Sequence, residues 1–146
     1  MPSATFHESI AVAAPPEAVW DKLQEPDIWQ SIGPVQDVWD PTFEDGVLIG
    51  FQWSTNIGGV VYDGTGTAVD HERPFRYELV LDNSEVAGSI AVDLAESDNG
   101  SSTGIDVTLE LRSKGLLSSM FFPLVSRAIG DGLPDQVRDL ATVLNT

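Results

Sequence analysis

Apolar and polar positions alternate through most of this chain, and the period changes once, near Leu116. From Thr5 to Val12, the residues Phe6, Ile10 and Val12 share one face, which predicts a strand. Ala14-Pro15-Pro16-Glu17 then opens a short helix, because proline is tolerated in a first turn and a carboxylate suits the positive end of the dipole. Val19, Trp20 and Leu23 give that helix its apolar face. Pro26 starts a second short helix carrying Ile28, Trp29 and Ile32, and Gly33-Pro34 ends it. Strands are predicted for Val35 to Trp39, Val47 to Trp53, Val60 to Val69, Phe75 to Leu81, Val86 to Leu94 and Ile105 to Leu111. Turns at Asp45-Gly46, Gly58-Gly59, Glu72-Arg73-Pro74 and Ser97-Asp98-Asn99-Gly100 separate them.

Within these strands the alternation is clean. Phe75, Tyr77, Leu79 and Leu81 face one way, and Arg76, Glu78 and Asp82 the other. Ile105, Val107, Leu109 and Leu111 alternate with Asp106, Thr108, Glu110 and Arg112. Such strands pair antiparallel with one wet face. Beyond Leu116, Met120, Phe121, Leu124, Val125, Ala128, Val137, Leu140 and Leu144 fall at helical spacing. Pro123 and the cluster Gly130, Gly132, Pro134 predict that this long helix is bent or divided. A sheet wet on one side must bury the other, and only this helix is large enough to cover it. The expected fold is therefore α+β: a curved antiparallel sheet of about seven strands around one C-terminal helix, in a single domain over residues 1–146.

Composition narrows the function classes. Acids number 23 against 7 bases, a formal net charge of −16, and that field repels phosphate backbones, so nucleic acid is excluded as a partner. The acids form no block. Their spread favours adaptation to high salt, where self-repulsion is screened, over a docking face for a basic partner. The chain has no cysteine, which removes disulfides, thiolate catalysis and cysteine metal sites. No apolar run reaches the ~18 residues of a membrane span. Met1-Pro2-Ser3-Ala4 has no basic, apolar leader character, so a cytoplasmic location is expected.

Few residues promise chemistry. His7 falls on the outward face of the first strand. His71 lies in Asp70-His71-Glu72-Arg73-Pro74, whose neighbours point different ways, whereas a zinc site needs three or four convergent ligands. No metal and no cofactor is expected. Gly64-Thr65-Gly66, inside a strand, reads as a bulge or bend before it reads as a phosphate cradle. Glu8 is in phase with Phe6, Ile10 and Val12. A carboxylate on an apolar face would hold its proton and act as a general acid or base, unless it sits at an edge and reaches solvent. Tyr77 could orient a ligand carbonyl or bond to the backbone. Phe51, Trp53, Tyr62, Phe75, Tyr77, Ile90, Met120, Phe121 and Leu124 are the candidate lining of an apolar pocket, and for Trp20 a filled core is preferred.

The run Ile10-Ala11-Val12-Ala13-Ala14-Pro15-Pro16-Glu17-Ala18-Val19-Trp20, followed by Pro26-Asp27 and Trp29, resembles the opening of START-like domains. These include the polyketide cyclase, Bet v 1-type and carbon-monoxide-dehydrogenase-associated proteins of the helix-grip superfamily. The resemblance implies an apolar cavity between sheet and helix. It implies a lipid, aromatic or polyketide-like ligand, a small cyclase or dehydratase, or a chaperone-activator type of interaction module. No long hydrophobic tail follows the domain, which argues against a membrane anchor. The Tyr-Pro-x-Phe pattern of quinone-binding relatives is missing between Asp27 and Gly33. Oligomeric state is not legible. The leading expectation is a carrier of a small hydrophobic molecule, with Glu8 and Tyr77 as the catalytic candidates for the enzyme alternative.

Overall fold

The computed structural model describes residues 3–30, 32, 34–57, 59–114 and 116–144, and gives the backbone alone at 57, 116–122, 124, 125, 128 and 144. Seven strands appear: β1 (Ser3–Val12), β2 (Asp37–Glu44), β3 (Val47–Ile57), β4 (Val60–Glu72), β5 (Arg76–Asp82), β6 (Val86–Ser97) and β7 (Ser102–Ser113). Two α-helices, α1 (Pro16–Leu23) and α2 (Leu116–Leu144), and a 3-10 turn at Pro26–Trp29 complete the main frame. The strands form one antiparallel sheet in the order β1-β7-β6-β5-β4-β3-β2. This is the expected helix-grip α+β arrangement.

The alternation read from the sequence sets which face is buried. β7 buries Thr103, Ile105, Val107, Leu109, Leu111 and Ser113, and β6 buries Val86, Ile90, Val92 and Leu94. α1 begins on Pro16, carries Glu17 in its first turn and Lys22 in its last, and buries Val19, Trp20 and Leu23. Its charges agree with the helix dipole at both ends. Gln24, just past α1, accepts from Leu48 N at 2.8 Å and donates to Trp20 O at 3.2 Å, so it joins the helix to β3. Arg73, in the β4–β5 turn, reaches Glu17 at 2.8 Å and Asp21 at 3.3 Å on the outer side of α1.

Three expectations need correction. α2 runs unbroken through Pro123, Gly130 and Pro134, which removes the divided form of the expectation and leaves the bent one untouched. Gly130 has a packing reason: a Cβ there would lie 2.2 Å from Phe6 Cε1, so the missing side chain lets the β1 ring lie against the helix. Gly64 and Gly66 do not form a bulge. They pair in regular register with Trp53 and Phe51, and the slip in β4 falls between Ala68 and Asp70. Phe75 is not a strand residue facing inward. It closes the turn before β5, where its N–H donates to Glu72 O, and its side chain is 48% exposed.

β2 forms one edge of the sheet. Its ladder with β3 slips between Trp39 and Thr42, where Asp40 takes a φ of 50° and Pro41 offers no N–H. Trp39 and Phe43 stand partly exposed on either side. β1 forms the other edge and lies beside α2, with Phe6 against Gly130.

Candidate functional site

The sheet interior holds one continuous core of buried residues, in which two regions can be told apart. The first is closed by aromatic packing. Tyr77, in the middle of β5, is 0% exposed. Trp20 of α1 meets its ring edge-on at 5.7 Å, and Trp29 of the 3-10 turn lies tilted at 5.5 Å. The Tyr77 hydroxyl donates to Leu48 O on β3, and Trp29 Nε1 donates to Leu23 O at 3.0 Å. Leu133, Val137 and Leu140 of α2 are buried in the same core. Ile90 is fully buried. The gap between Trp29, Ile90, Val107 and Val137 is about 10 Å3, room for about one water. Tyr77 and Ile90 are thus placed in a filled core.

Burial pushes the Tyr77 phenol well above its ordinary value of 10.0. The folded state therefore resists ionisation that the unfolded chain allows. This stability is complete below pH 10 and is lost as pH rises from there toward the folded value, by about 1.4 kcal/mol per unit. Tyr77→Phe has no phenol to ionise. Chemical denaturation of both proteins as a function of pH should show a steeper alkaline loss in the wild type, and equal slopes would contradict this placement.

Glu8 keeps its predicted phase and is half-buried on edge strand β1. The register puts Glu8, Val107, Val92 and Tyr77 in one row across β1, β7, β6 and β5. Three strand spacings separate the two candidates, about 14 Å. Their functional groups do not converge on one small carbonyl. His7 faces outward, 3.6 Å from Asp106, and His71 is exposed near the end of β4.

The second half lies toward the C-terminal end of β7. Its floor is aromatic. The Phe51 ring lies across Gly66, where a Cβ would stand 2.7 Å from Cε1. Trp53 lies across Gly64, 2.9 Å from the same test position, and its Nε1 donates to Thr65 O at 2.8 Å. Leu81, Val86 and Leu111 surround this floor, and Thr55, Asn83 and Ser113 add buried polar groups. Tyr62 pairs with Thr55 and is half-buried. α2 starts just after β7, and its first half runs from there to Gly130, which lies against Phe6 of β1. Met120, Phe121 and Leu124 fall in that stretch, and their side chains lie outside the described residues. Of the expected lining, Phe51, Trp53 and Tyr62 come together here, while Tyr77 and Ile90 belong to the filled half and Phe75 to the surface.

Sequence reading passed over Asn83. It continues the inward phase of Tyr77, Leu79 and Leu81, but a polar residue after a strand reads as turn. A separate groove of about 180 Å3 opens between the 3-10 turn and the end of α2, with Ile28, Ile32, Leu140 and Val143 on its walls and Asp27 and Asp139 at its rim. It touches the filled half through Ile32 and Leu140.

A START superfamily protein from Mycobacterium smegmatis has the same architecture, with a TM-score of 0.68 over 93% of this chain and 92% of that one, at 14% identity. The fold is START-like. A conserved protein from Geobacillus kaustophilus matches this chain with a TM-score of 0.66 at 17% identity, over 97% of this chain and 95% of that one. Norcoclaurine synthase from Thalictrum flavum matches with a TM-score of 0.57 at 14% identity, over 98% and 87%. No family model and no curated protein matches the sequence. At these identities the likeness establishes the START-like fold alone. Among the described residues, no helix is long and apolar enough to cross a membrane.

Proposed function

We propose that this protein binds a small hydrophobic molecule, of lipid, aromatic or polyketide-like type, between the sheet and the first half of α2. The observation that carries the reading is the floor made by Phe51 and Trp53. Two aromatic rings take up the space beside Gly66 and Gly64 that side chains would fill, on an otherwise apolar wall that holds a few buried polar groups. That composition is the usual one for small-molecule sites. Burial at ~25 cal/mol per Å2 would supply most of the affinity. The proposed lining is Phe51, Trp53 and Tyr62 from the sheet, with Met120, Phe121 and Leu124 from the helix sequence.

The rings are covered in this structure, so a ligand enters as the covering segment gives way. Pro123 lacks the N–H that would bond to residue 119, and Pro134 the one that would bond to residue 130, so each half of α2 has one gap in its ladder. Pairing of Glu8 with Tyr77 gives the enzyme alternative no support, because the register holds them apart.

Native mass spectrometry of freshly purified protein, followed by solvent extraction, tests the proposal. A co-purifying apolar molecule, or saturable binding of Nile red that quenches tryptophan emission, is the expected result. An empty protein that leaves Nile red dark would replace this reading with that of a protein-interaction module whose interior is simply filled.

A further inference from the structure

Asn83 presents a group that packing does not explain. It sits on the inward phase at the end of β5 and is 7% exposed. Its Oδ1 accepts from Glu85 N and Val86 N, each at 2.8 Å, which closes the turn into β6. Those two donors fix the amide orientation, because a flipped amide would point its NH2 at them. Nδ2 is then buried and finds no acceptor among the described residues. An unmet donor in the interior costs free energy, and buried polar groups are nearly always paired. The turn needs only the acceptor. Serine would supply one without leaving an NH2 behind.

The surroundings show where this donor stands. Asn83 Cβ and Trp53 Cε2 flank Gly64, at 2.8 Å and 2.9 Å from the position a Cβ would take there. The amide is therefore next to the edge of the aromatic floor. We propose that Asn83 is the polar anchor of the binding site, and that the ligand carries a neutral oxygen acceptor, a ketone or ester carbonyl, at one end of an apolar body. The net charge of −16 disfavours a carboxylate in the same place. A carbonyl oxygen completes Nδ2 while the apolar remainder lies on Phe51 and Trp53. This inference rests on the site described under the proposed function.

Two probes of nearly equal shape separate the inference from that reading. One is acetylnaphthalene, which has the carbonyl; the other is ethylnaphthalene, which lacks it. The wild type is expected to bind the ketone about tenfold more tightly. Asn83→Asp keeps the turn acceptor and removes the amide donor, so it should erase the preference for the ketone over the hydrocarbon. On wild-type protein, the Asn83 side-chain amide signal in NMR should shift with the ketone and stay in place with the hydrocarbon. This reading does not depend on the variant's folding. Equal affinities with an unmoved amide signal would overturn the anchor and leave the apolar site standing, with Nδ2 satisfied by water only. Failure of both probes to bind would overturn the site and the anchor together.

Discussion

Trp20→Ala is expected to cost about 3–5 kcal/mol of stability, the range for emptying a large buried aromatic site. Trp20 is fully buried, and it fills the space between α1 and the sheet while its edge meets the Tyr77 ring. Tyr77 in turn holds β5 to β3 through Leu48 O and touches Trp29. The cavity would open where three elements meet, none of which can collapse without moving another. Domains have only about 5–15 kcal/mol in total, so this variant approaches the limit of folding. Its thermal midpoint should fall by about 10–20 °C. Trp39→Ala, on the half-exposed edge strand, should shift it little. A midpoint for Trp20→Ala within a few degrees of wild type would contradict the description of the filled half.

Gly64→Ala is expected to lose about 3 kcal/mol, at the upper end for overpacking. The added methyl would meet Asp82 O at 2.4 Å, which is backbone of the neighbouring strand, before it meets Asn83 or Trp53. Side chains can turn away; a paired strand cannot. The clash would part β4 from β5 and push Trp53 off the floor, so Nile red binding should weaken along with stability. Gly104→Ala is the control. Its nearest contact would be Ala95 O at 3.8 Å, an ordinary distance, and it should be close to neutral in a denaturant titration. Equal losses in the two variants would show that the glycines matter only for backbone freedom.

How far the sequence foretold this structure follows from what periodicity can carry. Alternation reports which way a side chain points, and the inward sets of β5, β6 and β7 were legible for that reason. It does not report where pairing begins. Phe75 has the parity of Tyr77, yet it closes a turn through its N–H, and its side chain is exposed although its carbonyl accepts from Leu94 N. Nor does it report register. Glu8 and Tyr77 both face inward, and only the row through Val107 and Val92 shows how far apart they are. Hydrogen-bond partners distant in sequence are equally silent: nothing near Tyr77 announces that its hydroxyl meets Leu48. Local propensity of proline and glycine suggests a break in α2, whereas packing against Phe6 accounts for Gly130 within an unbroken helix.

The interrupted ladder of β2 bears on how copies of this protein meet. An open sheet edge is a template for another chain, and hydrophobic residues beside it make the template adhesive. Here Trp39 and Phe43 are such residues, but Asp40 and Pro41 stand between them. An incoming strand would lose register after a few residues, and it would bring its own share of a net charge of −16 into contact with Asp37, Asp40 and Glu44. The same two residues that kink the edge thus act as a gatekeeper, letting the fold keep aromatic side chains at its rim without propagating into fibrils.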